Sequence, residues 1–203
     1  MTRAELKSLA KSQLKGNVAM FFVCSLIVFV IAFVCGIIPV AGAILSILIT
    51  PPLSIGLILV YLDATKGNAV RIDRMFDGFK YFWKSFLLTL LVGIFTMLWS
   101  LLLYIPGIIK AISYSMSFFI LAENPEMTAR EALNESKAIM HGHKMEYFVL
   151  ELSFIPWALL VAVTFGIAGI WVVPYMELTL TNFYHSIKNK KEAPTAETVS
   201  VEY

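Results

Sequence analysis

The sequence predicts an all-α polytopic membrane protein: a six-span helical bundle built of three hairpins, with amphipathic cytoplasmic surface helices. Three observations lead there. No Asp, Glu, Lys or Arg occurs between Asn17 and Leu62, a run about twice the ~20 residues a helix needs to cross a bilayer core. Hydrophobic residues make up 59% of the 203-residue chain and mean hydropathy is +0.78, the balance of an integral membrane protein. Of 16 Lys and Arg residues, all but Lys110 fall in four polar segments, at 3–15, 66–84, 130–144 and 188–191.

The chain opens on an amphipathic helix. Thr2 and Glu5 have the spacing of a capping box. Leu6, Leu9, Ala10 and Leu14 form an apolar stripe. Arg3, Lys7, Lys11 and Lys15 recur every four residues beside it, an edge suited to anionic headgroups at the inner leaflet. The uncharged run that follows does not read as a signal peptide, because sixteen patterned, mostly polar residues precede it. It is expected to stay in place as spans 17–38 and 41–62, divided at Gly36-Ile37-Ile38-Pro39, since Gly and Pro are the strongest local punctuators. Pro51-Pro52 is expected to break or kink the second span.

The 66–84 segment carries Ile72, Met75, Phe76, Phe79, Phe82 and Trp83 at helical spacing, which predicts a second surface helix. Spans 85–105 and 107–122 follow, with Tyr104-Ile105-Pro106-Gly107 as their turn. The fourth span is short, and a partly re-entrant path is the alternative to full crossing. Thr128 and Glu131 repeat the capping-box spacing and open a third surface helix, its inner face Ala129, Ala132, Leu133 and Met140 with Ile139 at the edge. Spans 146–165 and 169–187 complete the third hairpin around Phe165-Gly166-Ile167-Ala168-Gly169, with Pro156 as a kink. Surface helix, span, turn and span thus recur three times, an architectural repeat of ~60 residues of the kind transporters share with simple bundles. Residues 1–187 form one membrane domain, and the polar 188–203 segment is expected to be a disordered cytoplasmic tail.

The hairpin turns hold no Lys or Arg, so the positive-inside rule assigns both termini and both long loops to the cytoplasm of a multi-pass cell-membrane protein. Almost nothing is left outside to form an external ligand-binding domain. Cys24 and Cys35, eleven residues apart on one helix, lie ~16 Å apart along its axis, too far for a disulfide.

Three ionisable residues fall inside spans: Lys110, Glu151 and Glu177. Such groups are costly and mark candidate sites. Counted from the turns, Lys110 lies ~6 Å and Glu177 ~12 Å below the outer face, so the two heads are expected to meet. The pair reads as an ion- or substrate-coupling pair or as a structural one, with a snorkelling Lys as the third option. Glu151 lies nearer the cytoplasmic face, where water reaches it. His141-Gly142-His143, with Glu146 nearby, lacks the ligand count of a zinc site and reads as a helix C-terminus. No nucleophile elbow, phosphate loop or HExxH occurs, so no catalytic residue, cofactor or metal is assigned.

Several motifs then carry a resemblance. Tyr104-Ile-Pro-Gly-Ile-Ile-Lys110, Ser113-Tyr-Ser-Met116, Ala122-Glu-Asn-Pro125, Glu131-Ala-Leu-Asn-Glu-Ser136 and Met140-His-Gly-His-Lys144 resemble the DUF975 family of bacterial integral membrane proteins. So do Arg3-Ala-Glu-Leu-Lys7, Phe76-Asp-Gly-Phe79, Leu152-Ser-Phe-Ile155 with Trp157, Pro174-Tyr175 and Asn182-Phe-Tyr184. The match spans nearly the whole chain and departs at Pro156, where the family usually has Gly. The resemblance implies a membrane protein without an established activity. A remoter likeness, to membrane domains attached to some glycerophosphodiester phosphodiesterases, implies a lipid-related setting.

Two functional expectations result. The first is a non-enzymatic protein of envelope maintenance or stress that binds membrane lipids, a membrane protein partner or a second copy of itself, and no nucleic acid. The second is a small transporter or channel using Lys110, Glu151 and Glu177. A polar cavity holding those residues favours the second, and a solid apolar bundle the first.

Overall fold

The computed structural model describes residues 1–102 and 104–197, and every regular element among them is helical. The chain runs through α1 (Arg3–Gly16), α2 (Val18–Ile37), α3 (Pro39–Thr65), a 3-10 helix (Asp73–Tyr81) and α4 (Phe82–Leu102). It continues through α5 (Tyr104–Tyr114), α6 (Ser117–Glu123), α7 (Ala129–Ile139), α8 (Lys144–Leu152), α9 (Ile155–Val163) and α10 (Gly169–Glu197). Five stretches are helical, long and apolar enough to cross a membrane: Val18–Ile37, Val40–Thr65, Asp73–Leu101, Ile105–Glu123 and Lys144–Val163. α10 is not among them, because Glu177, Asn182 and His185 dilute its apolar content. Trp83, Met97, Leu101, Ile105, Val163 and Phe165 are each more than two-thirds exposed. Water does not tolerate an apolar surface on that scale, and lipid does.

α3 is the central post, packing on α2, α4, α6, α10 and the 3-10 helix. Its start follows from the sequence: Ile38 is extended and Pro39 occupies the first turn, where a missing N–H costs nothing. Pro51 and Pro52 neither break α3 nor end it. They supply no N–H, so the carbonyls of Ile47 and Leu48, four residues back, lose their helical partners.

The 66–84 segment departs from expectation. It forms a 3-10 helix, whose period of three puts Met75 and Gly78 on one buried edge and leaves Phe76, Phe79 and Trp83 outside. The tight winding lets the backbone touch α3. A Cβ on Gly56 would stand 1.7 Å from the Met75 carbonyl oxygen, and one on Gly78 2.0 Å from that of Pro52. Only glycine at both positions allows this approach.

Tyr104–Gly107, read as a turn, instead opens α5, since proline is tolerated in a first helical turn. The 146–165 span is divided at Ser153–Phe154 into α8 and α9, one residue before the kink residue Pro156 would enter. Both capping boxes are present, at Thr2–Glu5 and Thr128–Glu131. α7 buries Ala129, Ala132, Leu133 and Ile139 as its pattern requires, with Met140 beside them. It also buries Ser136, whose hydroxyl donates to the Ser113 carbonyl at 2.8 Å. Gly142, at φ +84, carries the chain out of that helix, and His143 meets Glu146 at 3.1 Å.

The predicted tail is helical as far as Glu197. Lys188 pairs with Glu123 at 2.7 Å and Lys191 with Glu135 at 2.6 Å, which ties this polar stretch to α6 and α7. The rest of the expected disordered segment, 198–203, lies outside the described residues.

Candidate functional site

A cavity of about 910 Å³ opens among α3, α4, α5, α6, α8 and α10. That lies within the roughly 300–1,000 Å³ of small-molecule sites. Most of its wall is apolar, but helix geometry brings in hydroxyls. Ser46, Thr50 and Ser54 stand four residues apart on α3, and Thr89 and Thr96 seven apart on α4, so each row lines a single face. The Ser54 and Thr89 hydroxyls donate to carbonyls of their own helices, at Thr50 and Ser85, and that of Ser115, just past α5, donates to the Ile112 carbonyl, all over 2.9–3.0 Å. Their protons are thus engaged, and their lone pairs are what remains. The Thr96 hydroxyl oxygen is buried and has no hydrogen-bond partner among the described residues. Ile47, whose carbonyl Pro51 leaves free, also lines the space.

Glu177 stands on this wall. No ion pair or side-chain hydrogen bond to its carboxyl exists among the described residues. Tyr147 also stands on the wall, its ring 5.8 Å from that of Phe183. Glu151 and Glu177 are also close enough to repel each other. Of the two, Glu177 alone lines the cavity.

Lys110 goes elsewhere. Its ammonium sits over the Trp99 ring, 4.5 Å from the centroid, and the expected Lys110–Glu177 ion pair does not form. The cause is packing. α5 lies against α4, α7 and α8, so Trp99 on α4 is the adjacent partner, whereas α10 lies against α1, α2 and α3. Counting depth from the turns placed the heads at similar heights but said nothing of which helices adjoin.

The basic edge of α1 is split in the same way. Arg3, Lys11 and Lys15 are exposed. Lys7 turns inward, donating to the Ser153 carbonyl at 3.4 Å and lying 4.8 Å from the Phe154 ring centroid. Burial, then the neighbouring Arg3 and Lys11, push its ammonium below the ordinary lysine range. The α8–α9 break creates this seat, because it leaves backbone oxygen without a helical donor. α1 is held further by reciprocal amides: Gln13 and Asn182 donate to each other at 3.2 and 2.8 Å.

Sequence reasoning missed the hydroxyl rows, Tyr147 and Glu123. The rows had a signal, Ser and Thr at helical spacing within otherwise apolar spans. Glu123, at the end of α6, receives Lys66, Lys188 and the Tyr184 hydroxyl, partners more than 50 residues away that no local pattern reveals. Among the described residues no cluster of His, Cys, Asp and Glu has the arrangement of a metal site.

No curated protein matches the chain, and no solved structure does. The model of a family described as protein of unknown function, DUF975, matches residues 1–113 and 101–191, nearly the whole length, and the chain belongs to that family.

Proposed function

We propose that the chain is a six-span protein of the cell membrane, with both termini cytoplasmic, which binds an amphiphile, in the first place a membrane lipid, in the cavity beside Glu177 and carries out no chemistry on it. The cavity carries the reading. It combines an apolar wall, which suits an acyl chain, with a few hydroxyls and one carboxyl, which suit a headgroup. The five apolar helices and the absence of Lys and Arg from the hairpin turns support the topology, in which the first half of α10 serves as the sixth span.

Gly93 gives a direct test. It lines the cavity, and a Cβ built there meets nothing within 4 Å. Gly93→Phe therefore fills the space without disturbing the backbone. Native mass spectrometry after a delipidating wash is expected to find lipid retained by the parent protein and lost from the variant, at equal thermal stability. Equal retention by both proteins would overturn the reading. For topology, protease added outside intact cells should not reach 66–84, and cleavage there would sink the six-span arrangement.

The position of Glu177 also favours a second reading, a small transporter or channel in which Glu151 and Glu177 bind the moving species and Lys110 acts apart from them. Flux across proteoliposomes that Glu177→Gln abolishes would promote it over simple binding.

A further inference from the structure

Resting on the amphiphile reading of this cavity, we infer that its ligand carries a protonated amine and that Glu177 is the carboxylate receiving it. The wall holds one carboxyl and no cation, and much of its remaining polar surface is acceptor oxygen. The Glu177 carboxyl has no partner among the described residues, and the buried Thr96 oxygen has none. The Ile47 carbonyl has lost its helical donor to Pro51. The Ser54, Thr89 and Ser115 hydroxyls have already given their protons to backbone carbonyls. A headgroup that pairs with Glu177 must bring the positive charge itself, and an ammonium brings it with three N–H donors.

Charge points the same way. No Lys or Arg lines the cavity. The nearby cations are occupied: Lys110 over Trp99, and Lys137 with Asn134 at 3.1 Å and against the Tyr114 ring at 5.4 Å. Glu151 adds a second negative charge close to Glu177. An anionic headgroup would meet the Glu177 carboxylate, with Glu151 behind it, and no cation. A cationic one replaces the missing counter-charge, and the aromatic Phe118 and Tyr147 on the wall suit a cation. The carboxyl has thus been left without an internal cation at the point where a ligand's cation can reach it.

The test uses the intact protein in nanodiscs of phosphatidylcholine, a bilayer without net charge, with empty nanodiscs as the blank. Four probes share one tail: dodecylammonium, dodecyltrimethylammonium, dodecanol and dodecyl sulfate. Dodecylammonium is expected to bind on the order of tenfold more tightly than dodecanol, the scale of one charge-assisted hydrogen bond. The trimethylammonium probe, which has charge but no N–H, should fall between them, and dodecyl sulfate should bind weakest. Glu177→Gln should erase the preference for dodecylammonium over dodecanol. Should that variant not fold, Thr96→Val removes one acceptor and should lower the preference by a smaller factor. An ammonium preference that survives Glu177→Gln, or dodecyl sulfate binding as tightly as dodecylammonium, refutes the inference while the amphiphile reading stands. If no probe binds above the blank, the amphiphile reading itself fails.

Discussion

Glu123 and Glu177 are both carboxyl groups set among apolar helices, at the end of α6 and within α10. Glu123 receives Lys66 at 2.5 Å, Lys188 at 2.7 Å and the Tyr184 hydroxyl at 2.8 Å. Its side chain is 9% exposed, and through it the ends of α3 and α6 are joined to the interior of α10. Glu177 receives no such donor among the described residues and faces a cavity instead. A carboxylate with three donors is a structural joint. One with none costs the fold the desolvation of a charge, a cost that a binding role accounts for and a structural role does not.

Removing the charge at each position separates the two. Glu123→Gln should destabilise the detergent-solubilised protein by about 2–3 kcal/mol, because it strands donors arranged around the charge, less than a fully buried pair would lose since both lysines reach solvent. Glu177→Gln should leave stability unchanged or raise it. Thermal unfolding of both variants in one detergent reads the signs. Equal losses would remove the distinction between joint and site.

How far the sequence anticipates this varies with the range of the contacts involved. Local patterns succeed: the capping boxes at Thr2 and Thr128, the Ile38–Pro39 turn and the inner face of α7 each depend on residues within one or two helical turns. Patterns that fit two helix types do not. The 66–84 segment suited an α-helix by spacing, and close approach at Gly56 and Gly78 selected the 3-10 form. Long-range pairing is least visible. Lys110 and Glu177 match in estimated depth and differ in neighbours, and the Glu123 joint gathers residues from three distant helices. The cavity was half visible, as hydroxyls at helical spacing. Its volume follows from how six helices pack, which no single helix encodes.

A second satisfied polar contact extends the comparison. Gln13 and Asn182 exchange two hydrogen bonds, and Asn182 is 6% exposed. Gln13→Ala should cost about 1–2 kcal/mol, most of it from the amide left buried without a partner. Adding Asn182→Leu should recover part of the loss, giving a measurable coupling in a double-mutant cycle. Strict additivity would show that α1 is held by its apolar stripe alone.

Lys110 tests whether an aromatic ring can satisfy a cation inside the bundle. Contact with the Trp99 face is worth about 0.5–2 kcal/mol, depending on desolvation. Trp99→Leu and Lys110→Met should each destabilise by about 1 kcal/mol, with coupling between them on this scale. Lys110→Met combined with Glu177→Gln should be additive. A recovery in that second pair would place the two charges in contact after all and would relabel Glu177 as a structural partner.

The smallest effect separates Lys7 from the other basic residues of α1. Lys7 donates to the Ser153 carbonyl and covers Phe154, whereas Arg3, Lys11 and Lys15 are exposed. At 3.4 Å its hydrogen bond is long, and its ammonium is partly desolvated, so the net gain is small. Lys7→Gln should lower stability by about 0.5 kcal/mol, the low end of such contacts. Lys11→Gln should change it by less than can be measured. Attachment to anionic lipid should show the reverse order. Each exposed cation contributes roughly 1 kcal/mol near such a surface, so replacing Lys11 weakens attachment of the intact protein's α1 while replacing Lys7 does not. Site-specific fluorophore quenching on α1, in nanodiscs with and without anionic lipid, measures this directly, and added salt should imitate the Lys11 change by screening. Equal effects of the two substitutions in both assays would mean that the four residues act as one basic edge and that the seat at Ser153 holds nothing.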